Sequence, residues 1–252
     1  MRRPVVYLQR HIYATGPVAE LCRVRSRYWS DDDAEAAGGA CAAADLVFAL
    51  RGQAIPCDYA AALAQSVTGL LPWLSSVPQA GLRLALGAES ANGWQRDESD
   101  GALIYLPRRT RLVLRLPVQR LEAARALAGR TLEVGGLPLR VGEPRVVALA
   151  AGDTLYARHV IDVTGDEQVF LERLAQAIEA LGPRPRRIMC GRSRHIGTPD
   201  RALCTRSVLL ASLAPRDALT LLATGLGPGR LLGCGLFVAY KRPDSLARDA
   251  RH

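Results

Sequence analysis

The sequence predicts an α+β protein built from two consecutive ferredoxin-like units, each with the order β-α-β-β-α-β. Short apolar segments with strand character alternate with longer segments of helical periodicity. This alternation occurs twice in the same order, and the halves meet near the small-residue stretch ALAAGDT at 148–154. Glycines follow several of the helical segments, at the positions where they end helices.

The first unit begins with an apolar strand and an amphipathic helix. The segment DLVFALRG at 45–52 is typical of a buried strand, and residues 57–74 place Tyr59, Leu63, Val67 and Leu70 on one helical face. The remaining elements of this unit are predicted as three strands, a helix and a hairpin with a Gly-Gly turn, at 81–86, 102–107, 110–117, 118–129 and 130–149.

The second unit repeats the order. A strand is predicted at 155–163, and the helix after it, at 166–182, has acids in its first turn and a glycine at its end. The other elements are a hairpin around the turn TPD, a helix with Pro215 near its start and a final strand, at 186–213, 214–227 and 229–241.

We therefore expect three regions along the chain. Residues 1–44 form a basic leader with a strand, and residues 45–150 form the first domain, interrupted by a polar insertion at about 87–101. Residues 151–252 form the second domain, which contains a glycine-rich loop at 225–235.

The charge is concentrated at one end of the chain. The protein has 33 cationic residues, 32 of them arginine, and 24 acids, which gives a net charge of +9. Residues 184–252 hold 13 cations and 4 acids, whereas residues 1–183 are neutral overall. A G/C-rich genome that favours arginine codons is one explanation of this composition. The uneven distribution of charge favours the other, a polyanionic partner, and guanidinium groups suit phosphate.

Composition also sets aside several other classes of protein. No apolar stretch approaches the ~20 residues of a membrane helix, and the N-terminus lacks the apolar core and cleavage site of a signal peptide. We expect a cytoplasmic protein without membrane contact. The six cysteines form no C-x-x-C pair and have no histidine at metal-ligand spacing, so we expect free thiols and neither a metal nor a cofactor.

The stretch GLGPGRLLGCGLFVAYKR at 225–242 raises the question of a nucleotide loop. A Walker loop requires Lys-Ser or Lys-Thr, which the chain lacks, and a dinucleotide fingerprint requires the reverse order of helix and strand. Gly225 or Gly227 is expected to end a helix. Gly233 and Gly235 are expected to leave one face of the last strand bare, so that another backbone or RNA approaches closely.

The placement of GLGPGRLLGCGLF between the last helix and the last strand resembles the CRISPR-associated repeat-RNA endoribonucleases of the RAMP superfamily. Four further stretches are similar to this family: 45–63, 87–94, 108–117 and 190–213. The resemblance covers about 45–242. In pattern it lies nearest to the type IV and myxobacterial-type members.

The resemblance implies tandem RAMP/RRM-like domains of the ferredoxin-like fold. It also implies a protein that binds the hairpin of a CRISPR repeat and cuts the precursor RNA beside it without metal. Such a protein often keeps the mature crRNA and contacts other CRISPR effector subunits.

Metal-free RNA cleavage requires attack of a 2′-hydroxyl on the adjacent phosphate, two proton transfers and cations that stabilise the added charge. His195, flanked by Arg192 and Arg194, is the best-placed histidine, although it equally fits a surface residue that only contacts RNA. His159 lies inside a predicted strand and is interpreted as a core or surface residue. Many family members have a first-domain histidine after the first helix, and here Arg83 stands near that place.

The missing histidine favours a site built from arginines. Arg23, Arg25 and Arg27 alternate, so on a strand they project from one face, although a solvated edge strand has the same pattern. Arg242 stands where the last strand ends before Pro243. We predict Arg23, Arg242 and His195 as catalytic residues. The predicted RNA contacts are ten basic residues: Arg25, Arg27, Arg83, Arg108, Arg109, Arg111, Arg192, Arg194, Arg230 and Lys241. The predicted loop glycines are Gly225, Gly227, Gly229, Gly233 and Gly235.

Two other functions stay open at this point. The missing first-domain histidine favours a non-catalytic crRNA-binding RAMP subunit of a CRISPR effector complex. An unrelated nucleotide-binding α+β domain is the third reading, and it predicts no binding of hairpin RNA.

Overall fold

The computed structural model describes residues 6–7, 42–86, 102–199 and 201–240. Within these ranges the chain forms twelve β-strands and four α-helices. The strands are β1 (Val6–Tyr7), β2 (Ala43–Arg51), β3 (Ala54–Pro56), β4 (Gly81–Ala85), β5 (Leu103–Tyr105), β6 (Arg111–Pro117), β7 (Thr131–Val134), β8 (Leu137–Ala148), β9 (Thr154–Ile161), β10 (Arg187–Gly197), β11 (Ala202–Ala211) and β12 (Phe237–Ala239). The helices are α1 (Ala60–Leu70), α2 (Leu121–Ala124), α3 (Glu167–Ala180) and α4 (Pro215–Thr224).

The strands form two five-stranded sheets with the same internal order. The first sheet runs β4-β6-β2-β8-β7 and the second runs β1-β10-β11-β9-β12, while β3 and β5 form a separate pair. If the edge strands β7 and β1 are left out, the first sheet runs β4-β6-β2-β8 and the second runs β10-β11-β9-β12. In both sheets these are the second, third, first and fourth of the four strands in chain order, and neighbouring strands are antiparallel. This is the ferredoxin-like arrangement, so the predicted α+β fold with two such units is confirmed.

Each sheet has its own hydrophobic core on the face that carries the helices. In the first, Leu46 and Phe48 of β2 pack with Leu63 and Val67 of α1. They do so because apolar side chains at alternate strand positions meet those at helical spacing. The second core consists of residues from β9, β11, α3 and α4, among them Leu155, Val208, Phe170 and Leu221.

Two elements are shorter than the sequence predicts. The helix expected at 118–129 is a four-residue α2 between two 3-10 turns, Val118–Arg120 and Arg125–Leu127. The strand expected at 102–107 is reduced to β5, which pairs with β3 instead of joining the main sheet.

The last predicted strand, 229–241, is wrong over most of its length. Residues Arg230–Leu232 form a 3-10 turn, and β12 begins only at Phe237. Gly233 and Gly235 have φ angles of 83° and 66°, which belong to the left-handed region and cannot continue a strand. They therefore shape a turn and do not bare one face of a strand.

Among the described residues, none of the helices combines the length and the apolarity needed to cross a membrane. β8 ends at Ala148 and β9 begins at Thr154, on either side of the predicted join. The domain boundaries stay a prediction.

Candidate RNA-binding cleft

A cleft of about 140 Å³ lies where the two units meet. Its walls come from the start of α1, from β4 and from the 3-10 turn before Gly233. Its floor is formed by the face of the second sheet that carries no helices, with Tyr156, Arg158 and His159 of β9. The cleft therefore combines cationic, aromatic and imidazole side chains from both units.

His159 is held in place by the neighbouring strand. The residue is buried, and its Nδ1 lies 3.0 Å from Thr205 Oγ1. Thr205 Oγ1 in turn donates to the Arg194 carbonyl at 3.3 Å. The backbone carbonyl of His159 accepts a hydrogen bond from Gly235 N at 2.7 Å, which ties the glycine turn to this strand.

Arg83 lines the cleft and belongs to a group of three charges, in which Asp45 and Arg115 are buried and Arg83 is half-buried. Its Nη2 is 3.4 Å from Asp45 Oδ2, and Arg115 binds the same carboxylate in a fork, with distances of 2.7 and 2.9 Å. Burial raises the pKa of Asp45, but the charges and hydrogen bonds of Arg115 and Arg83 outweigh this effect and hold that pKa below its ordinary value. Burial lowers the pKa of Arg83, and Asp45 opposes this shift.

Arg115 also joins the two units. Its Nη1 donates to the carbonyls of Leu222 at 3.0 Å and of Phe237 at 2.6 Å, which belong to α4 and β12. One buried guanidinium therefore binds a carboxylate of the first sheet and two carbonyls of the second unit. Charge-assisted hydrogen bonds of this kind are the stronger ones in proteins.

The prediction that Arg230 contacts RNA requires correction. The side chain is buried, and its guanidinium donates to the carbonyls of Thr224, Gln79 (2.7 Å) and Ala223 (3.4 Å). Burial, and then the charge of Arg115, lower its pKa to about 10. Arg230 therefore caps the end of α4 and anchors it to the first unit, as a structural residue.

The strand pairing separates the two neighbouring candidates on β10. Arg194 stands opposite Thr205, on the face that carries His159, whereas His195 stands opposite Cys204 on the other face. Arg206, two residues after Cys204, packs over the Phe170 ring of α3, which identifies that other face as the helix side. His195 is exposed there and lies outside the cleft.

The other basic candidates within the described ranges lie at the surface. Arg108 and Arg109 are exposed in a turn that the Thr110 N to Pro107 carbonyl hydrogen bond closes at 2.9 Å. Arg111 stabilises this turn by donating to the Arg108 carbonyl at 3.2 Å. Arg192 is exposed at the irregular part of β10.

The glycine loop is a compact turn. Gly225 follows the last residue of α4, so the predicted helix end is confirmed. The Gly235 carbonyl accepts a hydrogen bond from Leu226 N at 3.0 Å, and a Cβ atom at Gly235 would overlap the Leu226 carbonyl oxygen. Gly227, Gly229 and Gly233 also have positive φ angles. Five of the predicted functional residues lie outside the described residues: Arg23, Arg25, Arg27, Lys241 and Arg242.

Sequence reasoning did not consider Arg158 of β9, and it gave His159 no functional role. Arg158 and His159 interrupt the otherwise apolar segment LYARHVIDV of a central strand. Such an interruption is the available signal, because one face of this strand packs on helices and only the other tolerates polar groups. Within the described ranges, no group of three or more His, Cys, Asp or Glu side chains is placed to hold a metal ion.

The sequence profile of the family described as Cas6 Crispr matches residues 44–242. The chain belongs to the Cas6 family. It is 30% identical over 209 residues to the CRISPR-associated endonuclease Cas6 of Myxococcus xanthus strain DK1622, which covers 82% of this chain and 85% of that protein. The role in CRISPR RNA processing that the resemblance implied is thereby confirmed, and the family supports an endoribonuclease.

Solved Cas6 structures share the fold. A CRISPR-associated protein Cas6 superposes with a TM-score of 0.54 at 12% identity, over 79% of this chain and 100% of that chain. A Cas6-related protein from Pyrococcus furiosus superposes with a TM-score of 0.52 at 11% identity, over 80% of this chain and 100% of its own. At these identities the likeness concerns the fold.

Proposed function

We propose that this Cas6 family protein binds the hairpin of a CRISPR repeat, cleaves the precursor RNA beside it by 2′-hydroxyl attack without metal, and retains the mature crRNA. The observation that supports this function is the extent of the family match. It runs from the first strand of the first unit through the glycine turn, so it includes both ferredoxin-like units.

We propose Arg23, Arg242 and His195 as the catalytic residues. An arginine is a poor general base because its pKa lies above about 12, so an arginine site works by positioning RNA and stabilising charge. His195 is exposed, which leaves its ring accessible to RNA bound over the hairpin of β10 and β11. Such a site predicts slow cleavage that does not require turnover.

The decisive experiment is single-turnover cleavage of end-labelled repeat RNA by excess protein in EDTA. We expect one cut with a 2′,3′-cyclic phosphate on the upstream fragment. The control RNA has a single 2′-deoxynucleotide before the mapped cut, and it should bind equally well but stay intact. Cleavage that proceeds on this control, or only after Mg²⁺ is added, contradicts the proposed mechanism.

The catalytic assignment is tested with Arg23→Ala, Arg242→Ala and His195→Ala. We expect each to lower the cleavage rate about 100-fold, as does the loss of one charge-stabilising donor. Arg173→Ala, which removes an exposed arginine of α3, is the matched control. Normal cleavage by both arginine variants refutes the arginine site, and loss of cleavage by His195→Ala alone makes the histidine the principal catalyst.

The alternative is a non-catalytic crRNA-binding subunit of a CRISPR effector complex. One observation favours it: Arg83, near the place of the family's first-domain histidine, is paired with Asp45 and offers no general base. Tight repeat binding without cleavage, at any protein concentration, identifies this alternative. Contacts with other effector subunits and a cytoplasmic location stay predictions.

A further inference from the structure

Two arginines that line the cleft each have a buried donor without an acceptor. The Nε–H groups of Arg83 and Arg158 are both buried and have no hydrogen-bond partner in the part of the chain that the structure describes. Both residues line the same cleft. Buried N–H groups of charged side chains are rarely left unpaired, because the loss of hydration is costly, so two such arginines at one cavity suit a ligand that accepts hydrogen bonds.

The charge around the cleft favours an anion. Among the described residues of its lining, Asp58 is the single acid, and its carboxylate lies against Gly197 in the β10–β11 hairpin. Asp45 compensates Arg83 but is shared with Arg115, so this group keeps one net positive charge. Arg158 adds a second, and with the negative charge of Asp58 the cleft keeps a net charge of +1. His159, fixed by Thr205, stands next to Arg158 on the same floor.

We propose that the cleft is a phosphate site in which Arg158 and Arg83 bind one phosphodiester group of the RNA. A planar guanidinium presents several N–H donors to phosphate oxygens, and two guanidinium groups at one cavity suit a phosphodiester group. Tyr59 and Tyr156 also line the cleft. This assignment rests on the proposed function, because it takes RNA as the ligand.

The first test compares Arg158→Gln with Arg173→Gln, which removes the same charge from the outer face of α3. Binding of labelled repeat RNA is measured from low to moderate salt. We expect Arg158→Gln to weaken binding about tenfold and to reduce the slope of log K against log salt by about 0.7 to 0.9, as for one lost phosphate contact. Arg173→Gln should stay within twofold of the wild type.

The second test identifies the phosphate. Each repeat linkage is replaced in turn by a neutral methylphosphonate, and binding is measured with the wild type and Arg158→Gln. We expect one linkage at which the substitution weakens wild-type binding about tenfold and has no further effect on the variant. Arg158→Lys keeps the charge without the planar fork, so it should lie between the two and serves if Arg158→Gln does not fold.

Three results overturn the assignment. The first is an RNA affinity of Arg158→Gln within twofold of that of Arg173→Gln, with an equal salt slope. The second is a methylphosphonate scan that gives the same result for the wild type and for Arg158→Gln. The third is binding of free phosphate alone. In that case inorganic phosphate raises the melting temperature of the wild type but not of Arg158→Gln, while the Arg158→Gln substitution leaves RNA binding unchanged. A wild type that binds no repeat RNA refutes the proposed function instead.

Discussion

The two units each contain a buried aspartate–arginine pair between their first and third sheet strands, but the pairs have different tasks. In the first unit Asp45 stands directly opposite Arg115, on the face without helices. In the second unit Asp162 follows β9 and binds Arg206 Nε at 2.8 Å, on the face that packs against α3. The same chemical pair therefore docks one unit on the other in the first case and fastens a helix within its own unit in the second.

The surroundings of the two carboxylates explain how much each depends on its arginine. Asp162 also accepts hydrogen bonds from Thr164 N and Gly165 N, at 2.8 and 3.1 Å, and from Thr164 Oγ1 at 2.6 Å. Asp45 has Arg115 and a longer contact to Arg83, within the described residues. Without Arg206, Asp162 therefore keeps the hydrogen bonds of its own loop. Without Arg115, Asp45 keeps only the longer contact to Arg83 within the described residues.

The largest effect is expected from Arg115→Met. This change leaves the buried Asp45 carboxylate with Arg83 alone and removes the donor to the Leu222 and Phe237 carbonyls. We expect the free energy of unfolding to fall by about 3 to 5 kcal/mol, as for other buried pairs that lose one partner. Urea unfolding followed by circular dichroism measures this loss.

The double variant Asp45→Asn, Arg115→Met is the control for the charge itself. If the uncompensated carboxylate causes the loss, the double variant should be more stable than Arg115→Met. A single variant within 1 kcal/mol of the wild type would contradict a docking role for Arg115.

The glycine turn gives the next largest effect. Gly235 and Gly227 have nearly equal φ angles of 66° and 70°, but a Cβ at Gly235 meets the Leu226 carbonyl, whereas one at Gly227 meets nothing within 4 Å. Gly227→Ala should therefore cost about 1 kcal/mol of backbone strain. Gly235→Ala should cost roughly 3 kcal/mol, because a close contact is added to the same strain. Equal melting temperatures for the two variants would refute the packing argument.

Arg206→Met tests the second pair and should have a smaller effect than Arg115→Met. It removes the bond to Asp162 and the contact over Phe170, but Asp162 keeps its three loop hydrogen bonds. We expect a loss of about 2 kcal/mol, since the carboxylate stays hydrogen-bonded. A loss equal to that of Arg115→Met would show that loop hydrogen bonds do not compensate Asp162.

The order of the elements was predictable because it depends on local patterns. Strand alternation and helical spacing appear within each segment, so β2, α1, β9, α3 and the β10–β11 hairpin stand close to their predicted ranges. The glycine turn was wrongly predicted as a strand because a strand with one face bare and a tight turn show the same glycine pattern in the sequence. Only backbone angles separate them.

The cleft was not predictable because it depends on docking. Arg158 lines the cleft together with Arg83, which belongs to the other unit and lies 75 positions earlier in the chain. Likewise Arg115 stands in an apolar strand without any sign of the two carbonyls it binds. When a residue's partners come from another unit, the sequence shows only a charged residue in an otherwise apolar strand.

The smallest effect is expected on the pH dependence of stability, to which both aspartates contribute. Burial raises the pKa of Asp162, but hydrogen bonds from Thr164, Arg206 and Gly165 hold it below its ordinary value, as the arginines do for Asp45. A carboxylate with a lowered pKa stabilises the fold above its unfolded pKa, about 3.9, and this stability is lost as pH falls through the folded pKa. Each aspartate should thus steepen the loss of stability below about pH 4 by up to about 1.4 kcal/mol per pH unit. Urea unfolding between pH 7 and pH 3 measures this slope, and Asp45→Asn and Asp162→Asn should each make it shallower, whatever their effect at pH 7. A slope that neither substitution changes would contradict this prediction and assign the acid destabilisation to other carboxylates.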